Sequence, residues 1–264
     1  IEPTCRYHWL DGTTFNAWQR LPQLIQEVER LSPADVPGLF RFLAHTARIY
    51  DAVADTFLLK PFGGLHELVT PRLARDGLRI DALRSVDAAV RSFFRSPYLR
   101  QVFNRYATYN GSSPYRSPAT FNVIAYIEFA EGGWYVRGGM YSLARALQQL
   151  AADLGVELRT STPVARIAYQ GGRVSGVHLA SGERLPAAQV VINADPSYAY
   201  RTLLPDQQHI AARLARQETS CSGFVLFLGV NRVYAQLAHH NIFFSSDYPR
   251  EFAAIFEKGI PAAD

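Results

Sequence analysis

The chain has 264 residues, 48% of them hydrophobic and 19% charged, a mix that suits one large or two smaller folded cores and is foreign to intrinsically disordered chains. Its net charge is +4, and of 27 basic residues only Lys60 and Lys258 are lysine; the arginines are scattered and no nucleic-acid motif accompanies them, so no nucleic-acid partner is expected. The longest strongly apolar run, Phe224 to Val230, covers seven residues, far short of the roughly 18 that a membrane-spanning helix needs.

In chain order, a strand pair is expected around Asp11-Gly12, a dipeptide suited to a hairpin turn. Helices then dominate. Trp18 to Leu31 reads as one; Ser32 caps the next, with Pro33 in its first turn and an apolar stripe of Val36, Leu39, Phe40, Leu43, Ala47, Tyr50, Ala54 and Phe57. Pro61 ends it. Further helices are predicted over Leu65 to Arg75, Asp81 to Arg84, Val86 to Phe94 and Pro97 to Ala107, and over Ala119 to Phe129, whose β-branched residues also suit a strand.

Gly138 and Gly139 then let the backbone turn sharply into a helix from Met140 to Leu154, whose N-terminal amides suit a phosphate. Leu143, Leu147, Leu150 and Leu154 lie along one face, and Gly155 stands where a left-handed cap belongs. A short alternating run at Val156 and Leu158 follows. Strands are predicted at Val164 to Ala168 and Val174 to Leu179, with turns at Gly171-Gly172 and Ser181-Gly182. Val190 to Ile192 is continuously apolar, as a strand buried on both faces would be. Tyr198 to Leu204 reads as a short helix and Gly223 to Asn231 as a strand.

Cys5 and Cys221 form no CxxC pair, and the seven histidines include only one adjacent pair, His239 and His240, whose side chains would diverge. Neither a metal site nor a disulfide scaffold is expected, and a reducing cytosol is the default compartment. On pattern alone, the block from Gly132 to Asp195 fits any α/β sheet as well as it fits a piece of a dinucleotide-binding domain.

Several segments carry a resemblance: YHWLDG at Tyr7 to Gly12, NGSSPYRSPA at Asn110 to Ala119, and EGGWYVRGGMYSLARAL at Glu131 to Leu147. TPVARI, VVINADP, SCSGFVLFLGVN and QLAHHN, the last at Gln236 to Asn241, follow in order. In that order and spacing the chain resembles the carotenoid desaturases, the bacterial phytoene and diapophytoene dehydrogenases, within the FAD-dependent amine-oxidase-like superfamily. The resemblance implies an α/β (α+β) fold: a helical and mixed-sheet substrate domain plus part of a Rossmann-like FAD-binding domain, discontinuous in sequence. Residues 1–136 and 197–264 would form the substrate domain, and 137–196 the cofactor insertion. The family's GxGxxG turn has no counterpart here, so the chain is expected to be an internal piece, inactive alone and without a tight hold on FAD.

The resemblance further implies FAD as cofactor and an apolar isoprenoid or carotenoid substrate that loses hydride to the flavin. A carotenoid isomerase or oxidase on the same scaffold, and a non-catalytic isoprenoid-binding protein, stand as alternatives. The family's valine that meets the adenine end through main-chain atoms maps to Val164. Gly138, Gly139, Asn193, Ala194 and Asp195 are further candidates for the flavin side, although Asp195 also suits a helix cap and Gly139 a packing position. His66 and Glu67 align with an Arg-Asp pair suggested to lie near the flavin in some members; an exposed pair on an amphipathic helix is the other reading. The apolar helical stripe serves equally as core or as tunnel wall. A mildly basic surface leaves peripheral membrane contact open, and oligomeric state is not read from the sequence.

Overall fold

The computed structural model describes residues 1–54, 58–59, 79–217 and 219–262. In chain order these contain β1 (Cys5–His8), β2 (Thr14–Ala17), α1 (Leu21–Leu31), α2 (Val36–Val53), α3 (Val86–Phe93), α4 (Pro97–Asn104) and α5 (Val123–Glu131). They continue with α6 (Tyr141–Asp153), β3 (Val164–Gln170), β4 (Arg173–Leu179), β5 (Arg184–Pro186), α7 (Gln208–Leu214), β6 (Asn241–Phe243) and α8 (Tyr248–Phe256). The chain divides into two compact units, Ile1–Tyr135 with Ser220–Asp264, and Val136–Thr219.

In the first unit, β1 lies between an antiparallel β2 and a parallel β6. Gly12, at φ +84°, takes the left-handed conformation of the β1–β2 turn, and Asp11 Oδ1 accepts from the Thr13 amide at 2.8 Å. Alternation along the strands sends Cys5, Tyr7, Phe15 and Ala17 into the core. Helices α1 to α4 cover them with Leu24, Val28, Leu39, Phe42, Val90, Leu99, Val102 and Phe103. Phe103 is the centre of an aromatic group, stacked on Phe94 at 4.4 Å and tilted against Phe42 at 4.6 Å.

Local chemistry explains the helix ends. Ser85 accepts from the Ala88 amide and caps α3. Ser32, expected as a cap, instead donates to Asp35 Oδ2 at 3.0 Å. The buried Asp35 carboxylate also accepts from the Arg95 and Ser96 amides, both at 2.8 Å, and so fixes the entry into α4. Gly38 permits α2 to approach α3 closely, because a Cβ there would sit 2.1 Å from the Phe93 carbonyl oxygen.

The buried face of α2 is rotated from the expected stripe. Gly38, Leu39, Phe42, Thr46, Ile49 and Val53 are buried, whereas Phe40 is 47% exposed; Thr46 is admitted because its hydroxyl donates to the Leu43 carbonyl. Asp81 to Arg84 is not helical: Arg84 folds back onto the Asp81 carboxylate through Nε and Nη2, at 2.9 and 2.6 Å. The stretch from Pro97 tightens into a 3-10 helix from Arg105 to Asn110, and Ala119–Asn122 is likewise 3-10 before α5.

In the second unit, β3, β4 and β5 form an antiparallel meander. Gly171 and Gly172, both at positive φ, make its first turn. Pro196–Tyr198 and a π-helical turn, Ala199–Leu203, bring Leu203 and Leu204 onto Ile167, with Val190 and Ile192 packed at the side. Among the described residues, the alternating run at Val156 to Leu158 and the expected strands Val190 to Ile192 and Gly223 to Asn231 form no ladder. The α6 face of Leu143, Leu147, Leu150 and Leu154 is 49 to 73% exposed.

Candidate functional site

In the second unit, Gly138 and Gly139 stand at φ +84° and +91°, a conformation that glycine adopts without steric cost. The turn closes through Gly139 N–H to the Val136 carbonyl and Ser142 N–H to the Gly139 carbonyl, both 3.0 Å. It delivers the chain into α6, whose N-terminus has no side-chain cap. This is the local geometry that lets a ligand approach main-chain amides closely.

Val164 opens β3 and is half-buried. It lines a cleft of about 430 Å³ whose apolar surface also includes Val177, Leu185 and Pro186. Arg159 also lines it, tied to Glu157 at 2.7 Å and to Glu183 at 3.2 Å. A lining of mixed apolar and charged side chains can take an aromatic ring that carries hydrogen-bonding edges, such as an adenine. The residues present therefore suit the nucleotide end of a flavin.

Asn193, Ala194 and Asp195 follow the apolar Val190 to Ile192 and are exposed. Asp195 Oδ1 accepts from the Tyr198 amide at 3.1 Å, the capping geometry that its position before Pro196 favours. Val164, Val190 and Ile192 pack around the same Ile167–Leu203–Leu204 core, so the structure joins the Val164 strand to the segment leading into Asn193. His66 and Glu67 lie outside the described residues.

The first unit holds a polar cluster that sequence reasoning missed. Arg105 is 6% exposed, with its guanidinium carbon 4.5 Å from the Tyr106 ring centroid, 4.8 Å from that of Tyr109 and 5.3 Å from that of Tyr7. It donates to the Tyr7 hydroxyl and lies 3.5 Å from Glu128. Glu128 also accepts from Tyr106 at 2.8 Å, Tyr109 at 3.0 Å and Thr4 at 3.3 Å. Burial, followed by Glu128, raises the Tyr106 pKa; burial also raises that of Tyr7, with Arg105 opposing. Burial acts against the Arg105 charge, but Tyr7, Tyr106 and Glu128 outweigh it and the pKa is raised. The cluster therefore supplies a fixed cation and neutral tyrosines at physiological pH. The sequence signal was a carboxylate inside the apolar Val123 to Phe129 stretch.

A family model described as flavin-containing amine oxidoreductase matches residues 2–252. A 4,4'-diapolycopene oxygenase of Methylomonas sp is 39% identical over 261 residues, covering 97% of this chain and 52% of that protein. A zeta-carotene-forming phytoene desaturase of Myxococcus xanthus is 34% identical, covering 98% and 50%. A hydroxyneurosporene desaturase of Cereibacter sphaeroides is 38% identical, covering 97% and 52%. The chain thus spans about half the length of the curated relatives it matches.

Proposed function

Because the chain belongs to the flavin-containing amine oxidoreductases, within the carotenoid desaturase family, we propose that the whole protein is an FAD-dependent oxidoreductase that desaturates an apolar carotenoid precursor. The observation that carries this reading is similarity over 97 to 98% of the chain, through both compact units, to carotenoid desaturases and an oxygenase.

The flavin, when bound, supplies the two-electron acceptor that no side chain can provide. The chain's own contribution is binding and orientation. We assign residues 137–196 to the cofactor domain, with Val164 meeting the adenine through its main chain, and Gly138 and Gly139 permitting close approach at the α6 N-terminus. Asn193, Ala194 and Asp195 complete the proposed flavin side. Residues 1–136 and 220–264 are assigned to the substrate domain, because 197–219 pack in the second compact unit with Leu203 and Leu204 on Ile167, and His66 and Glu67 are the proposed polar pair near the flavin. Burying an isoprenoid chain in an apolar channel contributes roughly 0.8 kcal/mol per methylene. Extraction from a bilayer therefore favours a peripheral membrane position on the cytoplasmic side, to which the net charge of +4 is suited. Among the described residues no helix is long and apolar enough to cross a membrane.

The test uses purified full-length enzyme, FAD and phytoene-containing vesicles. Flavin absorbance and a more unsaturated product are expected, with Val164→Pro lowering flavin occupancy by removing a main-chain donor. His66→Ala and Glu67→Gln should lower kcat while flavin content is unchanged. Protein that stays colourless after reconstitution, with no altered substrate, would overturn the proposal. The similarity to an oxygenase favours one second reading, an oxidase on the same scaffold, for which the same assay would give a carbonyl product.

A further inference from the structure

The meander of the second unit carries a row of basic side chains across all three of its strands. Arg166 on β3 stands opposite His178 on β4, and His178 stands opposite Arg184 on β5. Residues that face one another across strands share one face of the sheet, about 5 Å apart. Ile167, Val177 and Leu185 form the next row. They point to the other face, where Val177 and Leu185 line the Val164 cleft. Two guanidinium groups gathered on one face repel, and a bound anion offsets that cost.

The backbone draws the row together. Ser175 is the extra residue of a β-bulge, since Ala168 pairs with Gly176 and Tyr169 with Val174. At Gly176 the two strands approach so closely that a Cβ would lie 2.1 Å from the Leu185 carbonyl oxygen. The Ser175 hydroxyl accepts from Arg184 Nη2 at 3.0 Å. That bond leans the Arg184 guanidinium over β4, the strand of His178, and leaves the serine O–H able to donate. Among the described residues neither Arg166 nor Arg184 meets a carboxylate, while the nearby Glu157 and Glu183 are both engaged by Arg159. Arg166 and Arg184 are exposed, and His178 between them is half-buried. Two uncompensated guanidinium groups, an imidazole N–H and a hydroxyl make a donor set suited to a tetrahedral, doubly charged oxyanion.

We propose that this face of the meander binds a phosphate group, clamped between Arg166 and Arg184 and hydrogen-bonded by Ser175 and His178. The site is independent of the flavin reading, and its chemistry is shared by a soluble phosphate and the headgroup of an anionic lipid.

The test is calorimetric titration of the full-length enzyme, loaded with FAD, at pH 7 and low ionic strength. Inorganic phosphate is one probe and phosphatidylglycerol vesicles are the other. Saturable binding of at least one is expected: binding of free phosphate assigns a soluble ligand, and binding of vesicles alone assigns a lipid headgroup. Arg166→Gln and Arg184→Gln should each weaken that binding by roughly tenfold, as the loss of a charge-assisted hydrogen bond does. Both side chains are exposed, so neither change touches the core. Arg173→Gln, exposed on the same strand as His178 but outside the row, should bind as the parent does. The proposal fails if neither probe saturates, if either row variant binds as the parent does, or if Arg173→Gln weakens binding as much as they do.

Discussion

His45 and Asp81 show how a pair at the edge of the helical core sets a response to acid. His45 Nε2 and Asp81 Oδ2 are 3.0 Å apart, with side chains 16% and 11% exposed. Burial is the main influence on His45 and lowers its pKa; Asp81 opposes this, and Arg84 and Arg48 add to the lowering. Asp81 is pushed up by burial, yet Arg84 and His45 outweigh that and its pKa falls below the ordinary 3.8. In both groups the folded state resists protonation more than the unfolded chain does. Their stability contributions are therefore present above the unfolded values and lost as pH falls, first for His45 below 6.5 and then for Asp81 below 3.8. Urea midpoints measured from pH 7 to pH 5 should fall for the parent, with a His45 share of at most about 1.4 kcal/mol per pH unit. His45→Gln should flatten that part of the slope, and an unaltered slope would remove His45 from the response.

At the scale of elements, what the sequence made legible is what local rules decide. The leucine spacing predicted α6, and the Gly171-Gly172 turn between alternating residues predicted the β3–β4 hairpin. Strands are different, because a strand exists only when another pairs with it. Val190 to Ile192 and Phe224 to Val230 have the composition of buried strands, but no ladder forms on them among the described residues. The α2 stripe failed for another reason: three- and four-residue spacings admit neighbouring faces, and packing against α3 chose the one carrying Gly38 and Phe42. The glycine turn at Gly138 and Gly139 was readable from the residues, and Val164 was named only through the family resemblance, whereas the Arg105 cluster depends on contacts between residues far apart in sequence. Asp195 offers a direct test of two roles. As a cap alone, Asp195→Ala should cost about 1 kcal/mol and Asp195→Asn much less, with flavin occupancy of the full-length enzyme unchanged by either. Loss of flavin in both variants would assign the carboxylate to the cofactor instead.

Across the whole molecule, the two units differ in how completely they cover their apolar residues. The first has a continuous core that includes Tyr7, Phe15, Phe42, Phe94 and Phe103, all at 0% exposure. It also carries the apolar run Phe224 to Val230, in which Phe224 is 90% exposed, Phe227 95% and Leu228 75%. The second leaves Leu147 and Leu150 of α6 at 58% and 54%. An exposed, uncharged run rich in phenylalanine, valine and leucine is prone to associate with other chains. The 264-residue chain should therefore bind a hydrophobic dye and scatter light increasingly at concentrations of about 10 to 100 µM, the range in which exposed apolar surface drives aggregation. Phe227→Lys places a charge in the middle of the run without touching either core, because that side chain is almost fully exposed. It should raise the concentration at which association begins, leaving far-UV circular dichroism unchanged. Leu147→Glu should also reduce dye binding, because that side chain is 58% exposed on α6. If the parent chain stays monodisperse over this range and binds no dye, these surfaces are covered in solution.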